Sequence, residues 1–154
     1  MIKVLFVCHG NICRSPMAEF LMRELARRAG LAGKLHVASA ATSAEELGNP
    51  VYPPARRKLA EHGISCTGKT AVQMKRADYD RWDLILYMDR DNLRNILRIT
   101  GGDPAGKLQP LLAKRDVADP WYTGDFETTW QDLCKGCSDW LVRLFPGIDP
   151  PLLP

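Results

Sequence analysis

No apolar stretch in this chain approaches the length needed to span a membrane. Its first residues, Met1-Ile2-Lys3, lead straight into a short apolar run, without the longer apolar region and small-residue cleavage site of a secretory signal. There is no long run of Lys or Arg, and the net charge is only +3, which argues against a dedicated nucleic-acid binder. No internal repeat, low-complexity block or composition shift divides the chain. Its 154 residues suit one domain, 1–154, with a core of useful size. The cysteines number five, an odd count in a chain large enough to fold without disulfide staples. A reducing, cytoplasmic setting is therefore expected. Cys8, His9 and Cys13 could be weighed as metal ligands, but their spacing does not fit the usual cysteine pairs of zinc sites.

What is present alternates. Ile2 to Val7 is nearly continuous in apolar residues, as in a strand covered on both faces. Met17 to Ala29 has helical spacing, with Phe20, Leu21 and Leu25 on one side, and ends near Gly30. A short strand is expected over Leu35 to Ala38 and a loop over Ser39 to Tyr52. A helix follows, started by Pro53-Pro54 and running from Ala55 to His62. Asp83 to Met88 reads as a third strand, and Asp89 to Arg98 as a helix with Leu93, Ile96 and Leu97 inward. Lys107 to Leu112 is a fourth strand that Pro110 pushes to an edge. Asp116 to Gly124 is a loop, Asp125 to Leu144 the last helix, and the Pro-rich tail 146–154 is extended. This order implies an α/β fold: a single-domain three-layer sandwich, with a central four-stranded parallel sheet and helices on both faces. Ligands of such sheets bind beyond the carboxyl ends of the strands, where strand order reverses.

That is where Cys8-His9-Gly10-Asn11-Ile12-Cys13-Arg14-Ser15 falls, between the first strand and the first helix. Backbone N–H groups of a tight turn into a helix N-terminus converge on an anion. The same field favours thiolate over thiol at Cys8. Arg14 offers a planar fork for two phosphate oxygens, Ser15 can donate to the sulfur, and Gly10 is expected to supply the unusual backbone conformation of the cradle. Pro16 suits the first turn of the helix. The pattern describes a phosphate cradle with a nucleophile in it. The plainer alternative is a buried structural cysteine beside a solvated arginine.

A thiolate attacking phosphorus needs an acid to protonate the leaving oxygen. Asp119-Pro120-Trp121-Tyr122 lies in a loop at the same end of the sheet. Proline stiffens the backbone there, and the aromatic pair could wall a ring substrate. The loop could equally be a plain turn with its aromatics packed on the core, and Asp116 is the rival acid.

Together these motifs resemble the low-molecular-weight protein tyrosine phosphatases. The similarity runs through Val4 to Glu19, Ser39-Ala40, Ala60 to Ile64, Asp83 to Asp89 with Asn92-Leu93, and Asp119 to Tyr122. The resemblance implies Cys8 as nucleophile and Arg14, with the amides from His9 to Arg14 (His9, Gly10, Asn11, Ile12, Cys13), as the phosphate site. It implies Asp119 as general acid and then base. Asn11, Ser15, Ser39 and His62 match positions that hold the loop by hydrogen bonds, and Cys13 matches a second cysteine that can pair reversibly with Cys8. Ile12, Trp121 and Tyr122 would line the substrate pocket. Ile12 stands where related protein-arginine phosphatases carry threonine. The segment Thr42 to Leu47 lacks the aromatic that several members place at the rim; Glu45 and Glu46 would put negative charge there and disfavour acidic peptides. Neither metal nor cofactor is implied. The implied partner is a phosphotyrosine protein, with a tyrosine kinase among the candidates and phosphate or other oxyanions as inhibitors. Neither nucleic acid nor membrane is implied.

Two further functions fit the cradle. An arsenate reductase would need a relay of two more cysteines, and Cys134-x-x-Cys137 is the available pair. Yet Phe126, Trp130, Leu133, Cys134, Cys137, Trp140, Leu141 and Leu144 follow one helical face, which reads as buried packing; Cys66 has no evident partner. The other is a phosphate-binding module without turnover.

Overall fold

The computed structural model describes residues 1–149 and 151. Its centre is β1 (Ile2–Cys8), whose apolar run from Val4 to Cys8 is buried on both faces. Val4, Phe6 and Cys8 point into one core, Leu5 and Val7 into another. Complete burial of side chains of this size stabilises by about 1.5–3 kcal/mol each, so β1 anchors both halves of the molecule.

The sheet has four parallel strands in the order β2-β1-β3-β4, with β2 at Leu35–Ala41, β3 at Leu84–Tyr87 and β4 at Leu108–Pro110. On the Val4–Phe6 face lie α1 (Arg14–Arg28), α2 (Pro53–Glu61) and α6 (Phe126–Leu144). The opposite face is covered by α3 (Asp78–Arg81) and α4 (Arg90–Thr100), which contribute Tyr79 and Ile96. A sixth helical turn, α5, spans Pro120–Thr123. This is the expected single-domain three-layer α/β sandwich. The chain runs from β1 outward to β2, then returns to place β3 on the other side of β1. The order thus reverses between β1 and β3, and their carboxyl ends open the crevice that holds the site.

The details differ from the sequence reading in instructive places. β2 pairs with β1 along all seven residues, from Ile2 opposite Leu35 to Cys8 opposite Ala41. Ser39 is therefore inside a strand and 2% exposed, where a loop was expected: register with β1 outweighs the small, weakly patterned side chains of Ala38 to Ala41. Leu97 is 37% exposed instead of inward. The buried stripe of α4 runs through Leu93, Ile96 and Ile99, and Leu97 is turned one residue, about 100°, away from Ile96. β4 is an edge strand, as expected, but spans only Leu108–Pro110 where Lys107 to Leu112 was expected. α3 and α5, four residues each, are too short to show a period. In the tail, Pro146-Gly147 forms a turn instead of extended chain; Pro150 and 152–154 lie outside the described residues.

Candidate active site

The segment His9 to Cys13 joins β1 to α1 as a tight loop. The one non-glycine residue with positive φ among the described residues is Asn11, at 59°. Asparagine tolerates this left-handed conformation better than most residues. Gly10 does not adopt it, contrary to expectation, and a Cβ at Gly10 would make only ordinary contact, 3.4 Å from Glu46 Cγ. The backbone demand falls one residue later than the glycine suggests.

Asn11 is pinned on three sides. Its Nδ2 donates to Ser15 Oγ (2.8 Å) and Ser39 Oγ (2.9 Å), and its Oδ1 accepts from the Val72 N–H (3.1 Å). Ser15 Oγ in turn lies 2.9 Å from Cys8 Sγ. Ser39 Oγ donates to Glu19 Oε1 at 2.6 Å. Lys69 completes the group: its Nζ donates to the Ser39 carbonyl at 3.0 Å and sits 3.7 Å from Glu19. Burial pulls the Lys69 pKa below its ordinary value, and Glu19 opposes that shift. His62 is the C-cap residue of α2, and its ring stacks on Trp130, centroids 4.4 Å apart. Lys69 and Glu19 were not singled out from sequence. Glu19 lies in the buried first turns of α1 and is itself 5% exposed, which a carboxylate tolerates only when paired.

Among the described residues, none of the backbone N–H groups from His9 to Ser15 donates to a protein acceptor. Backbone donors at a buried turn are normally paired. Here they are left for something brought from solution, at the N-terminus of a 15-residue helix.

Arg14 is 2% exposed. Its Nη1 donates to Asp89 Oδ2 (2.7 Å) and the Val117 carbonyl (2.8 Å), and its Nη2 to Asp119 Oδ2 (3.3 Å). Burial works against the guanidinium charge, but Cys8, Asp119 and the hydrogen-bonded Asp89 outweigh it and hold the pKa above the ordinary value. Asp89, another residue the sequence reading did not assign to the site, is the N-cap of α4; with Asn92 it forms a capping box immediately after β3. Asp119 caps the α5 turn through the Trp121 N–H at 3.0 Å. The acid loop is held from behind by Arg115, whose guanidinium grips both oxygens of Asp132 on α6, and by Thr129, which donates to the Ala118 carbonyl. Asp116 is exposed and does not line the cleft.

Cys8, Arg14 and Asp119 thus meet at one cleft, which Ile12, Trp121, Tyr122, Glu45 and Glu46 also line. Cys13 borders the same cleft; burial, reinforced by Cys8 and Asp119, raises its pKa and keeps it a thiol. Cys66, Cys134 and Cys137 do not line it. Burial raises the pKa of Cys134 to about 11 and that of Cys137 well above its ordinary value. Among the described residues no three His, Cys, Asp or Glu side chains converge as metal ligands, and no helix is long and apolar enough to cross a membrane.

Comparison with known proteins places this geometry. The family model described as low molecular weight phosphotyrosine protein phosphatase matches residues 3–146. The low molecular weight protein-tyrosine-phosphatase YfkJ of Bacillus subtilis is 39% identical over 150 residues, spanning 94% of this chain and 96% of the relative. The crystal structure of YfkJ superposes with a TM-score of 0.90 over 94% of each chain. The human low molecular weight phosphotyrosine protein phosphatase is 37% identical, over 92% of this chain and 94% of its own. Vibrio vulnificus Wzb, solved in complex with benzylphosphonate, is 26% identical with a TM-score of 0.81, over 92% of this chain and 98% of its own. With matches of this length and identity, the chain belongs to the low molecular weight phosphotyrosine protein phosphatase family.

Proposed function

We propose that this protein is a phosphotyrosine phosphatase that hydrolyses its substrate through a phosphocysteine on Cys8, without metal or cofactor. The observation that carries the reading is the convergence of a buried thiol, a row of unpaired backbone N–H groups, a buried arginine and a loop aspartate on one cleft.

Cys8 attacks phosphorus, and the bond to the phenolic oxygen breaks as Asp119 gives that oxygen a proton. Water then attacks the phosphocysteine, Asp119 takes the proton back, and phosphate leaves with the Cys8 thiolate restored. The amides from His9 to Arg14 and the guanidinium stabilise the equatorial oxygens in both transition states. Arg14 spends Nη1 on Asp89 and Val117 and one Nη2 hydrogen on Asp119, which leaves Nε–H and the other Nη2 hydrogen, side by side, for two phosphate oxygens. Asn11, Ser15 and Ser39 keep the loop in its strained shape, with Glu19 and Lys69 behind them. Ile12, Trp121 and Tyr122 receive the aryl ring; Wzb, a structural relative, was solved in complex with an aryl ligand of this kind, benzylphosphonate.

Cys13 protects the nucleophile in this reading. Peroxide oxidises Cys8 to the sulfenic acid, the Cys13 thiol condenses with it to a disulfide with release of water, and an added thiol reduces the disulfide. The setting is the cytoplasm, and the substrate is a phosphotyrosine protein, a tyrosine kinase among the candidates. The position of Cys66, Cys134 and Cys137 away from the cleft weighs against arsenate reduction by a cysteine relay.

The test is hydrolysis of phosphotyrosine, phosphoarginine and phosphoserine peptides by wild type and Cys8→Ser, with EDTA present. Release from phosphotyrosine alone, lost in Cys8→Ser, is expected. Preference for phosphoarginine would remove Ile12 as the selecting residue. No release from any peptide by the folded protein would shift the reading to arsenate reduction or to phosphate binding without turnover.

A further inference from the structure

We propose that the mouth of the cleft selects phosphotyrosine flanked by basic residues, a specificity that rests on the phosphatase reading above. The side chains that line it differ in chemistry. Trp121 and Tyr122 are 51% and 82% exposed. The same cleft is lined by two acidic side chains, Glu45 and Glu46, carried by the loop that follows β2.

This acidic pair is built into the site. The Thr42 N–H donates to the Cys8 carbonyl at 2.9 Å, and the Ser43 N–H and Oγ both donate to the His9 carbonyl, at 3.1 and 3.0 Å. The side chain of Glu46 lies against Gly10, and its carboxylate accepts from Asn49 Nδ2 at 2.7 Å. Glu45 Oε2 meets His9 Nε2 at 3.0 Å, while the Glu45 side chain stays 70% exposed. The two carboxylates are thus tied to the phosphate loop itself and do not swing free.

Among the described residues that line the cleft, no lysine stands beside them and the single arginine is buried. Among the described residues, Arg14 and His9 are the basic side chains that line the cleft. Arg14 is at the floor, against Asp89 and Asp119, and His9 is engaged by Glu45. A peptide that places its phosphoryl group on the floor must lay the residues beside the tyrosine across the rim. At that range, within a Debye length of about 8 Å at physiological salt, lysine or arginine is attracted and aspartate or glutamate repelled. Exposed pairs are individually weak, so the two glutamates together should give a preference of about tenfold in kcat/KM between basic and acidic flanks.

The experiment compares kcat/KM for three phosphotyrosine peptides that differ only in their flanking residues, basic, neutral or acidic. The enzymes are wild type and Glu45→Gln/Glu46→Gln, with p-nitrophenyl phosphate as a substrate that has no flanks. The expected result is a basic-over-acidic ratio near tenfold in wild type that falls towards one in the double variant, and towards one in wild type at 1 M salt, where the Debye length drops to about 3 Å. Cys8-dependent hydrolysis of p-nitrophenyl phosphate with a ratio near one, or with acidic flanks preferred, overturns the rim proposal and leaves the phosphatase reading standing. A ratio that survives in the double variant also overturns it. Failure of the folded wild type to hydrolyse p-nitrophenyl phosphate overturns both.

Discussion

At the scale of single residues, the site is a set of groups whose partners lie far away in sequence. Arg14 reaches Asp89, 75 positions on, and Asp119, 105 positions on. Two aspartates compete for the role of acid, and geometry separates them: Asp119 lines the cleft and touches Arg14, whereas Asp116 is exposed and outside it. Asp119→Asn keeps the size of the side chain and its cap to the Trp121 N–H but removes the transferable proton. It should lower kcat by roughly 10²–10⁴ for phosphotyrosine, with a smaller loss for aryl phosphates whose leaving groups need no proton. Asp116→Asn should leave kcat within a few-fold of wild type. A series of aryl phosphates of graded leaving-group pKa measures both, and a large loss in Asp116→Asn would reassign the acid. The residues that carry chemistry were legible because cysteine, arginine and aspartate sit in rare local patterns. Lys69 and Glu19 were not: Lys69 lies in no motif, Glu19 ends one without a role of its own there, and what recruits both is the buried Ser39 between them. His62 stands beside a glycine at a helix end, and its ring stacks on Trp130.

At the scale of elements, sequence patterns spoke clearly where burial was two-sided or the helix long. β1 and α6 were readable from apolar content and period, and Pro110 marked the edge strand. The full length of β2 was not readable, because pairing with β1 decides it. Gly136 shows what a pattern conceals. Within α6 it looks like a weak helix former, yet an added Cβ would fall 2.5 Å from Leu111 Cγ and 2.9 Å from its Cδ1. Leu111 is 3% exposed and has little room to move. Gly136→Ala gains about 1 kcal/mol of helix propensity against an overpacking cost of about 1–3 kcal/mol. The expected net is a loss of about 1 kcal/mol, seen as a fall in Tm of about 2–4 °C; a rise in Tm would mean that Leu111 yields freely. α1 offers a pH-dependent counterpart. Glu24 accepts from Arg27 and Arg28 in the last turns, and those hydrogen bonds pull its pKa from 4.5 to about 2. The native state therefore binds this proton less readily than the unfolded chain. The stabilisation is complete above about pH 4.5 and is lost as the pH falls through 2. Arg27 is 65% exposed, so screening holds the contribution to about 0.5–1 kcal/mol. Urea unfolding should find Glu24→Gln less stable than wild type by that amount at pH 7 and nearly equal to it near pH 2. A gap that persists at pH 2 would assign the effect to packing.

At the scale of the whole molecule, the crevice is a junction. The phosphate loop follows β1, Asp89 follows β3, and Val117 and Asp119 come from the segment after β4. Arg14 binds all three together from the floor, so a ligand on Arg14 ties down segments from across the sheet. Strand order is what assembles this junction, and it has no local signature; the motifs show that a site exists, but only the reversal between β1 and β3 shows which distant segments meet there. Bound phosphate should consequently stabilise the protein as a unit. A ligand that binds only the folded state adds about 2.7 kcal/mol at a hundred times its Kd, which for a chain of this size is about 5–10 °C in Tm. Wild type and Cys8→Ser should both show the shift, because in the proposed mechanism the amides and Arg14 bind the anion and the thiol serves turnover. Arg14→Lys keeps a positive charge near Asp89 and Asp119 but loses the planar fork, and most of the shift should disappear at equal phosphate concentration. Calorimetry of the three proteins across a phosphate titration makes the comparison. An undiminished shift in Arg14→Lys would mean that the loop amides alone hold the anion, and that Arg14 serves the transition state and the junction instead of ground-state binding.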